Sequence, residues 1–421
     1  MTVLRDAGLR EAAAVMADEL AAALTVPPPV DYGDDYRPDS PRWRDQSLSK
    51  GAAGVAVLHG LRAQCGLSGE EAMHAWLARA TRDNLSAGPG AGLWFGAPAV
   101  AFAISTAAPG RYPGAMASLD AAVADLTENR LKTALARMDA ERRPALYEFD
   151  LVRGLTGLGA YLLHRDPGGD LVRRVLSYLV RLTHPVRAGD AAGLSAPGWW
   201  TAEIPAKEDD PAFAAGQADF GAAHGIAGPL SLMSIAMRDG VTVDGHREAI
   251  EIICRWLGSW RQHAPAGMWW PERITLAELR DGRPHRDGPA RPSWCYGTPA
   301  LARAQQLAAL SIGDTTWQQA AEDALLRCLD DPIQLARITD PALCHGWAGV
   351  LATAWHVAAD AAAPTLAHRL PGLLGALLDH AREIPPEALP GLVEGSAGIA
   401  LTLHTIATGQ AGGWQTCLLL D

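Results

Sequence analysis

Apolar residues recur along this chain in two kinds of segment that alternate from end to end. Segments near 4–24, 69–84, 115–137, 169–184, 246–262, 315–329 and 364–382 put apolar residues on one helical face and Arg, Asp and Glu on the other. In the first of them Leu4, Leu9, Ala12, Val15, Met16 and Leu20 fall roughly on one side. Between these, segments opening at 51, 96, 154, 225, 297, 346 and 395 are rich in Ala and Leu and apolar nearly all round, which predicts interior helices of about four turns. No convincing strand pattern accompanies them, so the chain reads as all-α, with short extended pieces confined to the loops.

Each interior segment opens on the same short motif. Lys50-Gly51-Ala52-Ala53-Gly54, Arg153-Gly154-Leu155-Thr156-Gly157, His224-Gly225-Ile226-Ala227-Gly228, Cys344-His345-Gly346-Trp347-Ala348-Gly349 and Glu394-Gly395-Ser396-Ala397-Gly398 are full copies. Phe95-Gly96 and Tyr296-Gly297 are weaker ones, with Pro98 or Pro299 two residues after the glycine. First glycines are spaced by 45, 58, 71, 72, 49 and 49 residues. Seven alternating pairs form either an open solenoid or a closed ring. A solenoid usually carries polar capping repeats, whereas the last segment, Gly395 to Ala407, is as apolar as the middle ones. The expectation is therefore one α/α-toroid domain over residues 1–421, with seven outer and seven inner helices. The glycines are expected to let inner helices approach closely and to leave backbone N–H groups bare at one end.

Long loops near 187–221 and 262–294 account for the two widest spacings, and loops of that length in a compact fold are usually functional. One holds Trp199-Trp200 and Lys207-Glu208-Asp209-Asp210; the other holds Trp269-Trp270-Pro271 and the basic run Arg280 to Arg291. The tryptophans either contact a substrate or pack the loops onto the body.

Composition narrows the function. A length of 421 residues would ordinarily suggest two or three domains, but stacked repeats share one core. The chain is 48% hydrophobic and only 6% aromatic, which suits closely packed helices. A net charge of −11 without a long basic run argues against a nucleic-acid partner. The N-terminal segment lacks the uninterrupted apolar run of a signal peptide, and the longest apolar stretch, around Ala97 to Ala108, is too short to span a bilayer. A soluble, cytoplasmic protein is expected. Six scattered cysteines in such a protein do not suggest disulfides. Cys65, Cys254 and Cys328 read as small buried hydrophobes, and Cys417 has no clear reading.

The chemistry concentrates just ahead of the first glycines. The preceding residues are Lys50, Phe95, Arg153, His224, Tyr296, His345 and Glu394; one position earlier stand Ser49, Trp94, Val152, Ala223, Cys295, Cys344 and Val393. If the copies are equivalent, Cys295, Cys344 and His345 come from adjacent copies at the same end. Two thiolates and an imidazole suit zinc with its fourth position open. From spacing alone, two inert interior cysteines are an equal alternative.

Trp294-Cys295-Tyr296-Gly297, Cys344-His345-Gly346 and Ala223-His224-Gly225, in this chain's repeat context, resemble the lanthipeptide cyclase (LanC-like) family in its stand-alone form, along the whole chain. The resemblance implies a seven-fold α/α toroid with zinc held by Cys295, Cys344 and His345. It implies His224 as acid/base and Asp150, Arg291 and Tyr296 as further catalytic residues, Tyr296 following the first zinc ligand. Some members carry an extra domain between early repeats, for which the 45- and 58-residue intervals leave little room. The implied reaction is addition of a cysteine thiol of a dehydrated precursor peptide to dehydroalanine or dehydrobutyrine, closing a thioether ring in lanthipeptide biosynthesis. Arg291 would supply a cation for the developing enolate, His224 the proton, and Asp150 would orient His224 or Arg291. Expected partners are the precursor peptide, a separate dehydratase and a transporter, whose complex would draw the protein peripherally to the membrane. Two other functions are compatible: intermolecular addition of glutathione or another thiol to dehydroamino-acid proteins, and a non-catalytic peptide-binding scaffold. Taken singly, His224 reads as a helix-start hydrogen-bonding residue, Asp150 as an N-cap and Arg291 as a loop charge.

Overall fold

A computed structural model describes residues 3–29, 41–188, 194–202, 211–265, 267–385 and 388–421. Lys207 to Asp210, and residues 30–40 of the acidic, proline-containing N-terminal loop, lie outside the described residues. Outer and inner helices alternate as the hydrophobic pattern requires. The outer set is α1 (Ala7–Ala23), α3 (Glu71–Ala80), α5 (Pro113–Asp139), α7 (Asp170–Leu182), α9 (His246–Ser259), α11 (Thr315–Asp330) and α13 (Leu370–Ala381). The inner set is α2 (Ala52–Gln64), α4 (Ala97–Ala107), α6 (Leu155–Arg165), α8 (Ala227–Arg238), α10 (Gly297–Ile312), α12 (Trp347–Asp360) and α14 (Ser396–Thr408).

The two sets differ as their sequences do. In α7, Val172, Val175, Leu176, Leu179 and Leu182 are buried at helical spacing while the arginines between them are not. In α2 every residue from Ala52 to Arg62 is buried, and in α10 every residue from Gly297 to Ala309. No helix among the described residues is long and apolar enough to cross a membrane.

The described residues form two compact units. One comprises Met1–Leu126, Thr339–Ala359 and Pro364–Leu418. Within it α1 packs on α13 and α14, α14 on α2, and α2 on α3 and α4. The other comprises Thr127–Ile338, Asp360–Ala363 and Leu419–Asp421. There α10 lies against α8 and α11, and α8 against α6 and α9. Arg303 on α10 is buried in this unit, where it pairs with Asp360 at 2.8 Å and donates to the Leu420 carbonyl at 2.9 Å.

Successive loops are joined main chain to main chain. In the first unit Cys344 N donates to Val393 O (2.9 Å), Val393 N to Ser49 O (3.0 Å) and Leu48 N to Trp94 O (3.2 Å). In the second, Leu151 N donates to Ala223 O (3.1 Å) and Ala222 N to Cys295 O (2.9 Å). Each acceptor or donor lies within three residues of a first glycine, so the backbone itself sets the register of the side chains there.

The glycines allow the expected close approach, as where a Cβ on Gly54 would come within 2.9 Å of Leu392 N, but their main purpose is another. A Cβ on Gly398 would collide with the Leu392 carbonyl, and one on Gly225 with Gly221 N and the Asp219 carboxylate, all parts of the loop leading into the same helix. Nor are the helix-start N–H groups bare: Ile226 N donates to Asp219 O and Trp347 N to Asp340 O, both at 3.0 Å. The loop folds back on its own helix, and only glycine leaves room for its carbonyls. The two weaker copies solve this with left-handed glycines, Gly96 at φ 78° and Gly297 at φ 80°. Gly398→Ala is expected to lower stability by about 1–3 kcal/mol in urea unfolding, as overpacking does.

Among the described residues, short strands occur only in the long loops: β1 (Val186–Arg187) with β2 (Ser195–Ala196), β3 (Gln217–Asp219) with β6 (Arg273–Thr275), and β4 (Gln262–Ala264) with β5 (Gly267–Trp269). All three pairs are antiparallel, and β3–β6 places Asp219 opposite Arg273.

Candidate metal and acid–base site

Asp150 ends a single helical turn, Leu146–Phe149, and is fully buried. Its Oδ1 accepts from the backbone N–H groups of Arg153 (2.8 Å) and Gly154 (2.6 Å), so it does organise the loop before α6. Its Oδ2 lies 2.8 Å from His224 Nδ1. One oxygen thus ties the entry loop and the other meets His224, while the N-cap of α6 is Gly154 and not Asp150. With an ionised Asp150, Nδ1 carries the hydrogen and Nε2 is left to exchange a proton with a ligand. The Tyr147 ring stands edge-on to His224 at 6.2 Å, and the Arg153 guanidinium covers Tyr147 at 4.5 Å. Burial works against a charged His224. The hydrogen bond and charge of Asp150, with further contributions from Asp219 and Cys295, more than offset it and raise the imidazole above its ordinary range.

Cys295 is 8% exposed, and its Sγ lies 3.5 Å from Ser293 Oγ. Ser293 Oγ also accepts from Tyr296 N at 2.9 Å, which fixes the turn into α10. Tyr296 donates its hydroxyl to Asp219 Oδ2 at 2.8 Å. Asp219 is 1% exposed, and burial pushes its carboxyl up to about 6 despite hydrogen bonds from Gly221 and Tyr296 that favour the charge. Such a shift corresponds to about 3 kcal/mol against the ionised form. Arg291 is half-buried beside this turn and makes no ion pair among the described residues; Asp150 is engaged with His224.

In the other unit, Cys344 is tied to Val393 through its main chain. His345 Nε2 lies 3.7 Å from Asp340 Oδ2, while Asp340 Oδ1 accepts from Ala342 N at 2.9 Å. Lys50 and Glu394, which occupy the corresponding place in two further copies, form a half-exposed ion pair of 3.0 Å. The three expected ligands form a group: one thiol each from Cys295 and Cys344 and a ring nitrogen of His345 all lie within 4.8 Å of one another. Neither cysteine is in a disulfide. Two thiols and an imidazole are a donor set that fits zinc, with its fourth position left for a substrate thiol.

The remaining candidates are structural. Cys254 and Cys328 are buried, and burial pushes the Cys328 thiol up to about 12. Cys417 is buried and donates to Trp414 O at 3.1 Å. Cys65, expected to be buried, is half-exposed because it caps the end of α2, with Sγ 3.7 Å from His404 Nε2. Trp199, Trp200, Trp269 and Trp270 are all at most 5% exposed. Trp199 packs edge-on against Trp256 and Trp270 donates to Leu257 O, so these residues fasten the loops to α9 rather than meet a ligand.

Asp219 and Asp340 were not singled out from the sequence. The signal was available: an aspartate stands six residues before the first glycine at Asp45, Asp219 and Asp340. Periodicity did not reveal it, because the loops carry no regular pattern.

The family model for lanthionine synthetase C-like proteins matches residues 42–419. A search of curated proteins finds no match. Among solved structures, "Nisin cyclase" matches at a TM-score of 0.75 and 18% identity, covering 98% of this chain and 97% of that one. That likeness shows the fold, an all-α α/α toroid whose seven repeats are the ones legible in the glycine motifs. With its family model matched over nearly its whole length, the chain belongs to the lanthionine synthetase C-like family.

Proposed function

We propose that this protein is a zinc-dependent lanthionine and methyllanthionine cyclase. It would join cysteine thiols of a dehydrated precursor peptide to dehydroalanine or dehydrobutyrine in the same peptide. The observation that carries the reading is the Asp150–His224 pair, whose loop is tied main chain to main chain, through Ala222 N and Cys295 O, to a member of the Cys-Cys-His group. Family membership and the likeness to nisin cyclase support it. Cys295, Cys344 and His345 would hold the zinc, which when bound lowers the pKa of a coordinating substrate thiol to give thiolate at neutral pH.

The chain's own residues then handle charge and proton. Attack of sulfur on the β-carbon moves an electron pair through the α-carbon to the carbonyl oxygen, making an enolate. Arg291, which has no carboxylate partner among the described residues, is placed in the sequence to offer that oxygen a cation. His224, held by Asp150 through Nδ1, delivers the proton to the α-carbon from Nε2. The Asp150 charge keeps the imidazole protonated and aimed. Bond formation and protonation balance within one peptide, so cyclisation leaves its mass unchanged.

The test is direct. Zinc-loaded protein is incubated with a synthetic peptide bearing one dehydroalanine and one cysteine a few residues later, then treated with a thiol alkylator. Cyclisation is expected to remove the alkylated species without a mass change. Persistent alkylation would overturn the cyclase reading, and a mass gain only when glutathione is added would point to intermolecular addition.

A further inference from the structure

We infer that Asp219 is a positioning residue for the ring-closing reaction, acting through the hydroxyl of Tyr296. The inference rests on the cyclase reading and adds to it a residue that carries no expected role of its own.

Asp219 is the point at which two loops meet. Its Oδ1 accepts from Gly221 N at 2.8 Å and its main-chain oxygen from Ile226 N at 3.0 Å, holding the loop that carries His224. Its Oδ2 accepts the Tyr296 hydroxyl at 2.8 Å, holding the residue next to Cys295. The Tyr296 ring rests on Gly221, where an added Cβ would come within 2.6 Å of Cε1. The main chains of the same loops meet nearby, through Ala222 N and Cys295 O at 2.9 Å. A second copy shows the same division of labour. Asp340, also six residues before its glycine, accepts from Ala342 N at Oδ1 and turns Oδ2 toward His345.

The need for a carboxylate is what points beyond packing. An asparagine would still accept from Gly221 N, and it would avoid placing an ionisable group where burial opposes the charge. What asparagine cannot do, with its carbonyl committed to Gly221, is accept the Tyr296 proton: its amide would donate to that oxygen and turn the hydroxyl hydrogen away. With aspartate, the phenol hydrogen is committed to Oδ2 and only lone pairs face the ligand side. Tyr296 is then an acceptor, fitted to a peptide N–H donor of the substrate, and it is not the acid. Protonation is left to His224.

The experiment is a double-mutant cycle on the zinc-loaded full chain: wild type, Asp219→Asn, Tyr296→Phe and the double variant. The probe is the synthetic peptide with one dehydroalanine and one cysteine, and zinc content is measured for each protein. Each single variant is expected to lower kcat about tenfold with KM changed less than twofold, and the double variant to be no slower than the slower single one. Zinc content should not change. At pH 7.5 Asp219→Asn is expected to unfold at the same or a higher urea concentration than wild type. Effects that multiply in the double variant, or Asp219→Asn turning over at the wild-type rate, would overturn the role. Tyr296→Phe removes only the hydroxyl, so an unchanged kcat there overturns it whatever becomes of the aspartate variants. A wild type that binds zinc but leaves the peptide open overturns the cyclase reading and the positioning role with it. Multiplying effects in an active wild type overturn the positioning role alone.

Discussion

Alanine in place of His224 is expected to slow ring closure by about 10²- to 10⁴-fold while the protein keeps its zinc. The size follows from losing the proton donor at the α-carbon. Retention of the metal follows from His224 lying outside the Cys295, Cys344 and His345 group. The pH dependence is a sharper part of the same expectation. His224 is raised above its ordinary value in the folded protein, by Asp150 above all against the opposing effect of burial. A raised folded pKa means that the charged pair and its contribution to folding are fully present below the unfolded value of about 6.5, and are lost as pH rises through the higher folded value. The catalysed rate should therefore fall on the alkaline side of that folded value in the wild type, and the slow rate of the alanine variant should lack that limb. Single-turnover rates across pH 6–9, with zinc measured in parallel, check both expectations. An alanine variant that closes rings at the wild-type rate would remove His224 from the reaction.

Replacing Cys344 with alanine is expected to abolish both metal binding and ring closure. Purified wild type should carry about one zinc per chain, and the variant close to none after dialysis against a mild chelator. Two protein ligands in place of three leave the ion to be held by one thiolate, one imidazole and water, and structural energy no longer compensates for its dehydration. Cys328→Ala is the control. That thiol is buried, pushed up to about 12 and remote in role, so its loss should cost stability and not zinc. Unchanged zinc in the Cys344 variant would overturn the site.

The fold was legible because the chain repeats one decision. An amphipathic helix followed by an apolar one, each entered through glycine, reads directly as outer and inner layers, and α7 and α2 show the two extremes. The Cys-Cys-His group was legible in part for a related reason: register placed Cys295 and Cys344-His345 at equivalent positions, while only the family resemblance favoured a metal over two inert cysteines. The loop carboxylates were not. Asp219 and Asp340 sit in irregular loops, where the contacts depend on which oxygen faces which way, and composition does not encode that. The main purpose of the glycines was also not legible in the same region. They accommodate the carbonyls of their own entry loops, as at Gly225 and Gly398, which only the folded path of those loops reveals. The tryptophans of the long loops were ambiguous for want of burial, and burial assigns them to packing.

The main-chain links between successive loops bear on how such a protein can change. Where Cys344 N meets Val393 O and Val393 N meets Ser49 O, the backbone fixes the spacing of positions whose side chains it does not use. Charge pairs, aromatic rings, thiols and imidazoles already occupy those positions in different copies, as Lys50, Phe95, Cys344 and Glu394 illustrate. Mutation there alters the reagents presented and leaves the frame that presents them intact. A lineage built on this frame can thus trade one chemistry for another by single substitutions, with little of the folding penalty that normally filters such experiments.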